Sequence, residues 1–485
     1  MAMGTRRRRR RQERMWIGQD EIVKGPGHPF YKKVNELLEE AKFDDFAEKE
    51  CAQFYAENNG RPSLTPGIYF RLLLLGYFEG IDSERGMAWR AADSLGLREF
   101  LRIGLDEQTP DHSTISRTRR RIDVETHKKV FSWVLEVLRA RGLIKGQTVG
   151  IDATTLEANA AMRSIVRRDT GESYEEFLKG LAKESGIETP TREDLTRIDK
   201  TRKNKASNKD WVNPHEQDAR IAKMKDGSTH LAHKAEHAVD METGAVLAVT
   251  LQEANQGDTA TVLDTLIEAG ENVAELLVTE AEKVPEEKPQ VHVQGIEEVV
   301  TDKGYHSSAV LVEVKEMEVR TYIPEKKQTA QRDWEGQKDQ TEARAQQKAV
   351  YANRRRVGGT YGKSLLRKRG ELVERSFAHC YATGGMRRTH LRGHANILKR
   401  LLIHVGAFNL SLIFRAMLGA GKPRELKNLH ALVSFLLLGL LDGFQRLRNQ
   451  KMLPFSVRRP PLRKNRRYLR YQLRHANERV SATGC

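Results

Sequence analysis

Residues 297–307 constrain the possible folds of this chain more than any other stretch. They read EEVVTDKGYHS, and their β-branched pair Val299–Val300 predicts a buried strand. Asp302 falls where that strand should end, Gly304 permits a sharp turn, and Ser307 is placed to cap a following helix. A carboxylate at the carboxyl end of a buried strand lies at the rim of a sheet, where α/β proteins commonly carry their chemistry. For this residue alone, an Asp that only caps its own turn is the alternative interpretation.

Residues 148–377 alternate strand and helix patterns around this stretch. A β-prone run at 148–158 contains Asp152, and two alternating runs around a glycine turn at 229–251 predict a β-hairpin. A helix, the strand before Asp302, a second helix, another strand and a last helix over 362–377 follow. This order predicts an α/β domain.

Other segments predict loops and insertions. Residues 163–225 and 328–356 are polar and charged, and within the first we expect a helix over 174–181 and an inserted, partly irregular arm over 189–210. The acidic, proline-containing segment 271–294 predicts a loop.

Three hairpin histidines, His230, His233 and His237, have spacings that a metal site can use. In a strand, His233 and His237 share one face and His230 lies on the other. We therefore favour ordinary strand histidines.

The charge balance points to a polyanionic partner. The chain has 83 Lys and Arg against 66 Asp and Glu, with clusters at 6–11 and 458–479. Nucleic acid is the commonest such partner, and neither cluster has the apolar face of a membrane-surface helix. The three cysteines are far apart, which predicts reduced thiols in a cytoplasmic protein. The apolar run 431–441 is too short for a membrane span, and no apolar segment follows the N-terminal arginines as in a secretory signal.

Residues 30–145 predict a helical domain. Its most informative piece is 109–122, in which Asp111 or Ser113 can cap a helix. The side of that helix predicted to be exposed carries Ser116, Arg117, Arg119, Arg120 and Arg121. Small hydroxyl residues followed by arginines suit docking into the major groove of DNA, and a solvated basic face is the alternative.

Three carboxylates stand at strand ends or on the last helix of the α/β region: Asp152, Asp302 and Glu374. Gathered at one sheet rim, they would repel each other unless cations lay between them. Hard divalent ions with oxygen ligands fit such a site, and two-metal sites support phosphoryl transfer.

These residues resemble a known family, the DDE transposases of bacterial insertion sequences. The segments that carry the resemblance are Gly150–Thr154, Thr301–Tyr305, Arg369–Phe377, Pro62–Arg121, Gly385–Gly393 and Phe408–Leu410. In some relatives an Arg precedes the glutamate by four residues and a Lys follows it by seven, where this chain has Gly370 and Tyr381. Arg369, Arg375 and Arg387 are the candidates to contact DNA in place of that Arg and Lys.

The resemblance implies a ribonuclease H-like catalytic domain that uses Mg²⁺, with Mn²⁺ as a substitute. It would cleave DNA at the ends of a mobile element and transfer the strands into target DNA. Asp152 and Asp302 would hold the metals and Glu374 would complete the site. The DNA contacts would come from the helix over 109–122 and from Lys303, Arg369, Arg375, Arg387, Arg388 and Arg392.

The same resemblance sets the expected organisation. The expected segments are a basic arm at 1–29, a helical DNA-binding domain at 30–145, a catalytic domain at 146–418 with insertions near 162–228 and 326–360, and a C-terminal helix and basic tail at 419–485. The expected partners are the terminal inverted repeats, target DNA and further copies of the chain, in the bacterial cytoplasm near the nucleoid and away from membranes. The alternatives are a nuclease or resolvase of the same fold, and a DNA-binding regulator whose site has decayed.

We also expect the metal site to stay largely unformed without Mg²⁺ or DNA. Mg²⁺ keeps several waters and waits for phosphate oxygens to fill its coordination shell.

Overall fold

A computed structural model describes the chain at residues 27–56, 63–202, 206–224, 227–283, 290–326, 334 and 340–426. The arginine run at 6–11, the apolar run at 431–441 and the basic tail at 458–479 lie outside these residues.

The N-terminal region is helical, as predicted. Its helices are α1 Pro29–Glu40, α2 Phe43–Cys51, α3 Pro66–Glu79, α4 Glu84–Ala92, α5 Leu95–Leu101, α6 His112–Arg121 and α7 Val124–Arg139. A proline at the first position opens α1 and α3, where its missing N–H costs nothing. α1 and α2 are separated at Lys42, which adopts a left-handed conformation with φ 52°.

The strands of the described chain are β1 Thr148–Glu157, β2 Val166–Arg167, β3 Trp211–Val212, β4 Arg220–Lys223, β5 Thr229–Asp240, β6 Val246–Glu253, β7 Glu298–Val300 and β8 Arg320–Tyr322. In this part of the chain the main sheet has six strands in the order β4-β5-β1-β7-β8, with β6 also paired to β5. β1 is antiparallel to β5 and parallel to β7, and β7 is parallel to β8. The α/β class is therefore confirmed, and the sheet is mixed.

The remaining helices are α8 Tyr174–Glu184, α9 Arg192–Thr201, α10 Asp258–Lys283, α11 Ser308–Glu316, α12 Gln340–Gly358, α13 Thr360–Phe377 and α14 His394–Leu418. The central one is α14, which packs against α3, α7 and β6. It lies in a segment long and apolar enough to cross a bilayer, yet 78% of the most apolar window of that segment is buried inside the protein. One continuous cluster of buried side chains runs from Phe30 in α1 to Phe414 in α14 and includes the sheet. The helical region and the sheet thus share a core.

The structure corrects one prediction about loops and adds detail to both insertions. The partly irregular arm expected over 189–210 contains α9, which opens with a capping box between Thr191 and Asp194. The loop expected over 271–294 is helical as far as Lys283, because α10 is a single long helix. In the second insertion, α12 packs on β8 and α11, and its buried Asn353 hydrogen-bonds both the N–H and the carbonyl of Ile323.

The first insertion is a small compact unit with its own apolar cluster. Trp211 of β3 is its largest member and lies edge-on to the rings of Tyr174 and Phe177 of α8. The unit therefore has a packed core of its own, although it was predicted to lie outside the core of the protein.

Candidate active site

The first two predicted carboxylates lie side by side because of the register between two parallel strands. Gly150 of β1 pairs with Val300 of β7, and each strand reaches its Asp two residues later, at Asp152 and Asp302. Neighbouring strands lie about 4.8 Å apart, so the two residues stand next to each other at the end of β7. The two carboxylates are close enough to interact electrostatically, because Asp302 is one of the groups that raise the pKa of Asp152.

Both oxygens of Asp152 have protein partners. Oδ1 accepts the N–H of Ala153 at 2.8 Å, and Oδ2 accepts from Nη1 of Arg369 at 2.7 Å. Burial raises the pKa of Asp152, and the Arg369 guanidinium opposes that rise without cancelling it. A divalent cation on this carboxylate would relieve the same cost.

Asp302 opens a tight turn and has a second carboxylate close to it. Its Oδ1 accepts the N–H of Gly304 at 2.7 Å, so the capping role that sequence analysis left open is real. A Cβ on Gly304 would lie 2.9 Å from that Oδ1 and 2.6 Å from Oδ2 of Asp258, at the start of α10. The two oxygens are therefore no further apart than the sum of these distances. Sequence analysis missed Asp258, for which it predicted only a helix start.

A buried polar network fixes the turn that carries Asp302. Lys234 of β5 pairs with Glu236 at 3.0 Å and with Asp258 at 2.7 Å. Glu236 also accepts the hydroxyl of Tyr305, the last residue of the turn, at 3.2 Å. Glu236 is fully buried, its charge is balanced by Lys234, and its carboxylate also accepts hydroxyl hydrogen bonds from Thr261 and Thr265 of α10.

Helix α13 crosses the face of the sheet that carries both aspartates. A Cβ at Gly150 would lie 2.7 Å from Sδ of Met241, and 3.2 Å from Cγ of Arg369 and 3.3 Å from Cγ2 of Val373 on α13, so the close packing favours glycine there. Glu374 follows Val373 but is exposed, and its carboxylate has no hydrogen bond or ion pair to any described residue. The structure therefore brings Asp152 and Asp302 together and leaves Glu374 apart, on the helix that covers them.

The end of α13 explains one departure from the family pattern. A π-helical turn at 378–382 follows α13 and brings Tyr381 into the core, where its hydroxyl lies 2.6 Å from Nε2 of His237. The other nitrogen of His237 lies 2.9 Å from the hydroxyl of Ser376. Tyr381, at the position of the family's lysine, is fully buried and does not face a DNA surface. The other strand histidines have separate partners, His394 for His233 and Glu157 for His230.

We predict that His237 makes the protein acid-sensitive. Burial lowers its pKa to about 3. Since the unfolded histidine titrates near its usual value, the unfolded chain binds a proton between that value and about pH 3 that the folded chain does not bind. Stability is thus complete above the unfolded pKa and is lost as the pH falls, by about 2 kcal/mol at pH 5 for this group.

The variant His237→Gln should lose less stability than the wild type between pH 7 and 5, in denaturant unfolding followed by tryptophan fluorescence. His112→Gln, at an exposed histidine, is the control. Parallel pH profiles for His237→Gln and the wild type would contradict the prediction.

The helix expected to contact DNA forms, with one correction. Asp111 caps α6 by accepting the N–H of Thr114. Arg117, Arg120 and Arg121 are exposed, as predicted, and Ser116 is half-buried. Arg119 is buried and pairs with Glu84 at 2.7 Å, with 8% of its side chain exposed. The prediction that Arg119 lies on the exposed side is wrong, because it anchors α6 to α4.

The basic loop at 384–393 lies against the C-terminal end of β1. Beyond the residues that pair with β7, the N–H and the carbonyl of Glu157 hydrogen-bond the loop at Arg387 and Thr389. Arg387, Arg388 and Arg392 are exposed at this edge, and Nη1 of Arg387 also lies 3.3 Å from the hydroxyl of Thr154. Two further candidates, Lys303 in the turn and Arg375 on α13, are exposed as well, and Arg375 pairs with Glu371.

The donor set suits a hard divalent ion, although the site is not assembled. Carboxylate oxygens are the ligands that Mg²⁺ and Mn²⁺ prefer, and Asp152 and Asp302 offer them from neighbouring strands. Among the described residues, no group of three or more His, Cys, Asp or Glu side chains is close enough to hold an ion. The residues fit a metal held partly by protein and partly by another ligand.

Comparison with known protein families identifies the family of this chain. A transposase domain (DUF772) matches residues 19–121, and a transposase DDE domain matches residues 194–410. The second match includes Asp302 and Glu374, whereas Asp152 precedes it. No curated protein and no solved structure matches the chain. With one transposase model on the helical region and another on the sheet and its covering helices, the chain belongs to the DDE transposases of the insertion-sequence type, enzymes of the nuclease and transferase class.

Proposed function

We propose that the protein cleaves DNA at the ends of a mobile element and joins the freed ends to target DNA, using Mg²⁺ or Mn²⁺. The observation that carries this proposal is the register of β1 and β7, which sets Asp152 beside Asp302. Two carboxylates side by side, one within β1 and one just after β7, are suited to holding a divalent ion against a phosphate.

In this proposal Asp152 and Asp302 hold the metal, and Glu374 completes the site from α13. The bound ion would polarise the phosphoryl group and lower the pKa of the attacking water or hydroxyl. The chain's own residues position these groups. The turn after β7 orients Asp302 through the N–H of Gly304, and the network around Glu236 holds that turn against β5 and α10.

We also propose that the catalytic domain is ribonuclease H-like. Support comes from the sheet, in which β1, β5 and β6 are antiparallel neighbours and β7 and β8 extend it in parallel. α13 lies on the face that carries Asp152.

The direct test incubates the protein with Mg²⁺, a supercoiled plasmid and a duplex bearing one end of the element. Joining of the duplex to the plasmid is the expected result. Cutting without joining would favour a nuclease or resolvase, and binding without any cutting would favour a regulator.

The exposed arginines of α6 predict a salt-dependent contribution to DNA binding. If Arg117, Arg120 and Arg121 each contact a phosphate, replacing all three by alanine should reduce the slope of log affinity against log salt by about three units. Fluorescence anisotropy with an element-end duplex at several salt concentrations measures this slope.

The matched control removes three exposed basic residues from the first insertion, Lys179, Lys183 and Arg197. It loses the same charge, and its slope should change less. An unchanged affinity and slope in the α6 variant would remove that helix from the DNA interface.

A further inference from the structure

We propose that Arg369 is a built-in counter-ion of Asp152 that the metal must displace, and that DNA phosphate releases it. The inference rests on the proposed metal site and adds a control step to it. Metal and DNA would then bind cooperatively, because a single side chain serves the carboxylate in the free protein and the phosphate in the complex.

The first observation is the position of the guanidinium. Nη1 of Arg369 lies 2.7 Å from Oδ2 of Asp152, on the oxygen that the backbone leaves available. The Arg369 side chain is 14% exposed and that of Asp152 is 24% exposed, so water screens this pair less than a surface pair. A metal ion cannot bind Oδ2 while the guanidinium occupies that position.

The second observation is that Arg369 is incompletely bonded. Its Nε is buried and has no hydrogen-bond partner among the described residues. A buried donor without an acceptor carries a desolvation cost, and that cost favours release when a better acceptor arrives. A DNA phosphate is such an acceptor, since its oxygens match the guanidinium fork in two parallel hydrogen bonds.

The third observation concerns Glu374 on the same helix. Glu374 is five positions after Arg369, a step that corresponds to about 140° around an α-helix and about 7.5 Å along it. While Arg369 of α13 points at Asp152, Glu374 is therefore turned away, and the structure shows it exposed. In this arrangement a guanidinium, instead of the third carboxylate, lies beside Asp152. We interpret the arrangement as a resting state of the site.

These contacts imply thermodynamic linkage. If a phosphate draws Arg369 away from Asp152, metal affinity rises, and metal binding raises DNA affinity by the same factor. Replacing Arg369 by a neutral side chain should remove the competition and with it a large part of the coupling.

The test measures Mn²⁺ binding by electron paramagnetic resonance, with and without a short mixed-sequence duplex, after subtraction of Mn²⁺ bound by the duplex alone. The wild type should bind Mn²⁺ weakly alone and roughly tenfold more tightly with the duplex, the size of a typical coupling. Arg369→Gln should bind Mn²⁺ roughly tenfold more tightly than the wild type without DNA and gain less from the duplex. Arg369→Lys, which keeps the charge, should stay closer to the wild type.

The matched control is Arg367→Gln, which removes an exposed arginine from the same helix and should leave both Mn²⁺ affinities near those of the wild type. Equal Mn²⁺ affinity and equal coupling in Arg369→Gln and the wild type would overturn the inference while leaving the metal site standing. Asp152→Asn separates the two cases. If it binds Mn²⁺ as the wild type does, the proposed metal site fails and the inference falls with it.

Discussion

Replacing Asp302 by asparagine should reduce strand transfer by at least about a thousandfold, a loss of about 4 kcal/mol of transition-state stabilisation. The amide has nearly the same size and can still accept the N–H of Gly304 through its oxygen, so the turn should persist. What is lost is the negative charge beside Asp152 that the proposed metal needs. Asp152→Asn should have a comparable effect, and both are measured in the plasmid-joining assay.

The control for this pair of variants is Asp169→Asn in the first insertion, an exposed carboxylate that pairs only locally with Arg167. It should join DNA at nearly the rate of the wild type. DNA binding should survive in Asp302→Asn and Asp152→Asn, which shows that they are folded. Full joining activity in Asp302→Asn would refute the catalytic assignment.

The two aspartates could be found from sequence because Asp152 lies within, and Asp302 directly follows, a run with a local strand signature. Val299–Val300 and the run at 148–158 predict strands without reference to the rest of the chain. Their register could not be predicted, since it depends on backbone pairing between segments far apart in the chain. That pairing makes neighbours of two carboxylates that are 150 residues apart in the sequence.

Asp258 and Lys234 were missed for a related reason. Each sits in a pattern that local rules explain fully, a helix start and a hairpin strand. Their role beside Asp302 exists only after β5, α10 and the turn at Gly304 have packed together. By contrast, α9 was missed although its signal was present, because the capping box of Thr191 and Asp194 can be read from the sequence.

The environment of Glu374 shows a further limit of sequence analysis. The motif identifies the residue, and the helix pattern over 362–377 predicts α13 nearly at its true bounds. Which face of α13 meets the sheet depends on tertiary packing, and in the folded chain Arg369 contacts Asp152 while Glu374 is exposed. The resemblance predicts three carboxylates at one site, whereas the structure shows Glu374 exposed and apart from the other two.

Replacing Lys234 by methionine should destabilise the fold by about 3–5 kcal/mol, because it leaves the fully buried Glu236 without its cation. Only hydroxyl donors would then remain on that carboxylate, from Thr261, Thr265 and Tyr305. Asp258 would lose its partner too, although it is 39% exposed and water can solvate it. Chemical unfolding monitored by circular dichroism at neutral pH gives the loss.

The informative control for Lys234→Met is the double variant Lys234→Met/Glu236→Gln, which removes both buried charges and keeps an acceptor for the hydroxyls. It should recover at least half of the lost stability, because breaking a buried pair costs more than replacing it. A double variant as unstable as the single one would mean that packing of the lysine stem, and not charge, stabilises this region.

The folded double variant also tests whether this network affects the proposed metal site. Tyr305 would then hold its turn through a weaker, neutral hydrogen bond, and Mn²⁺ affinity should fall if that turn positions Asp302.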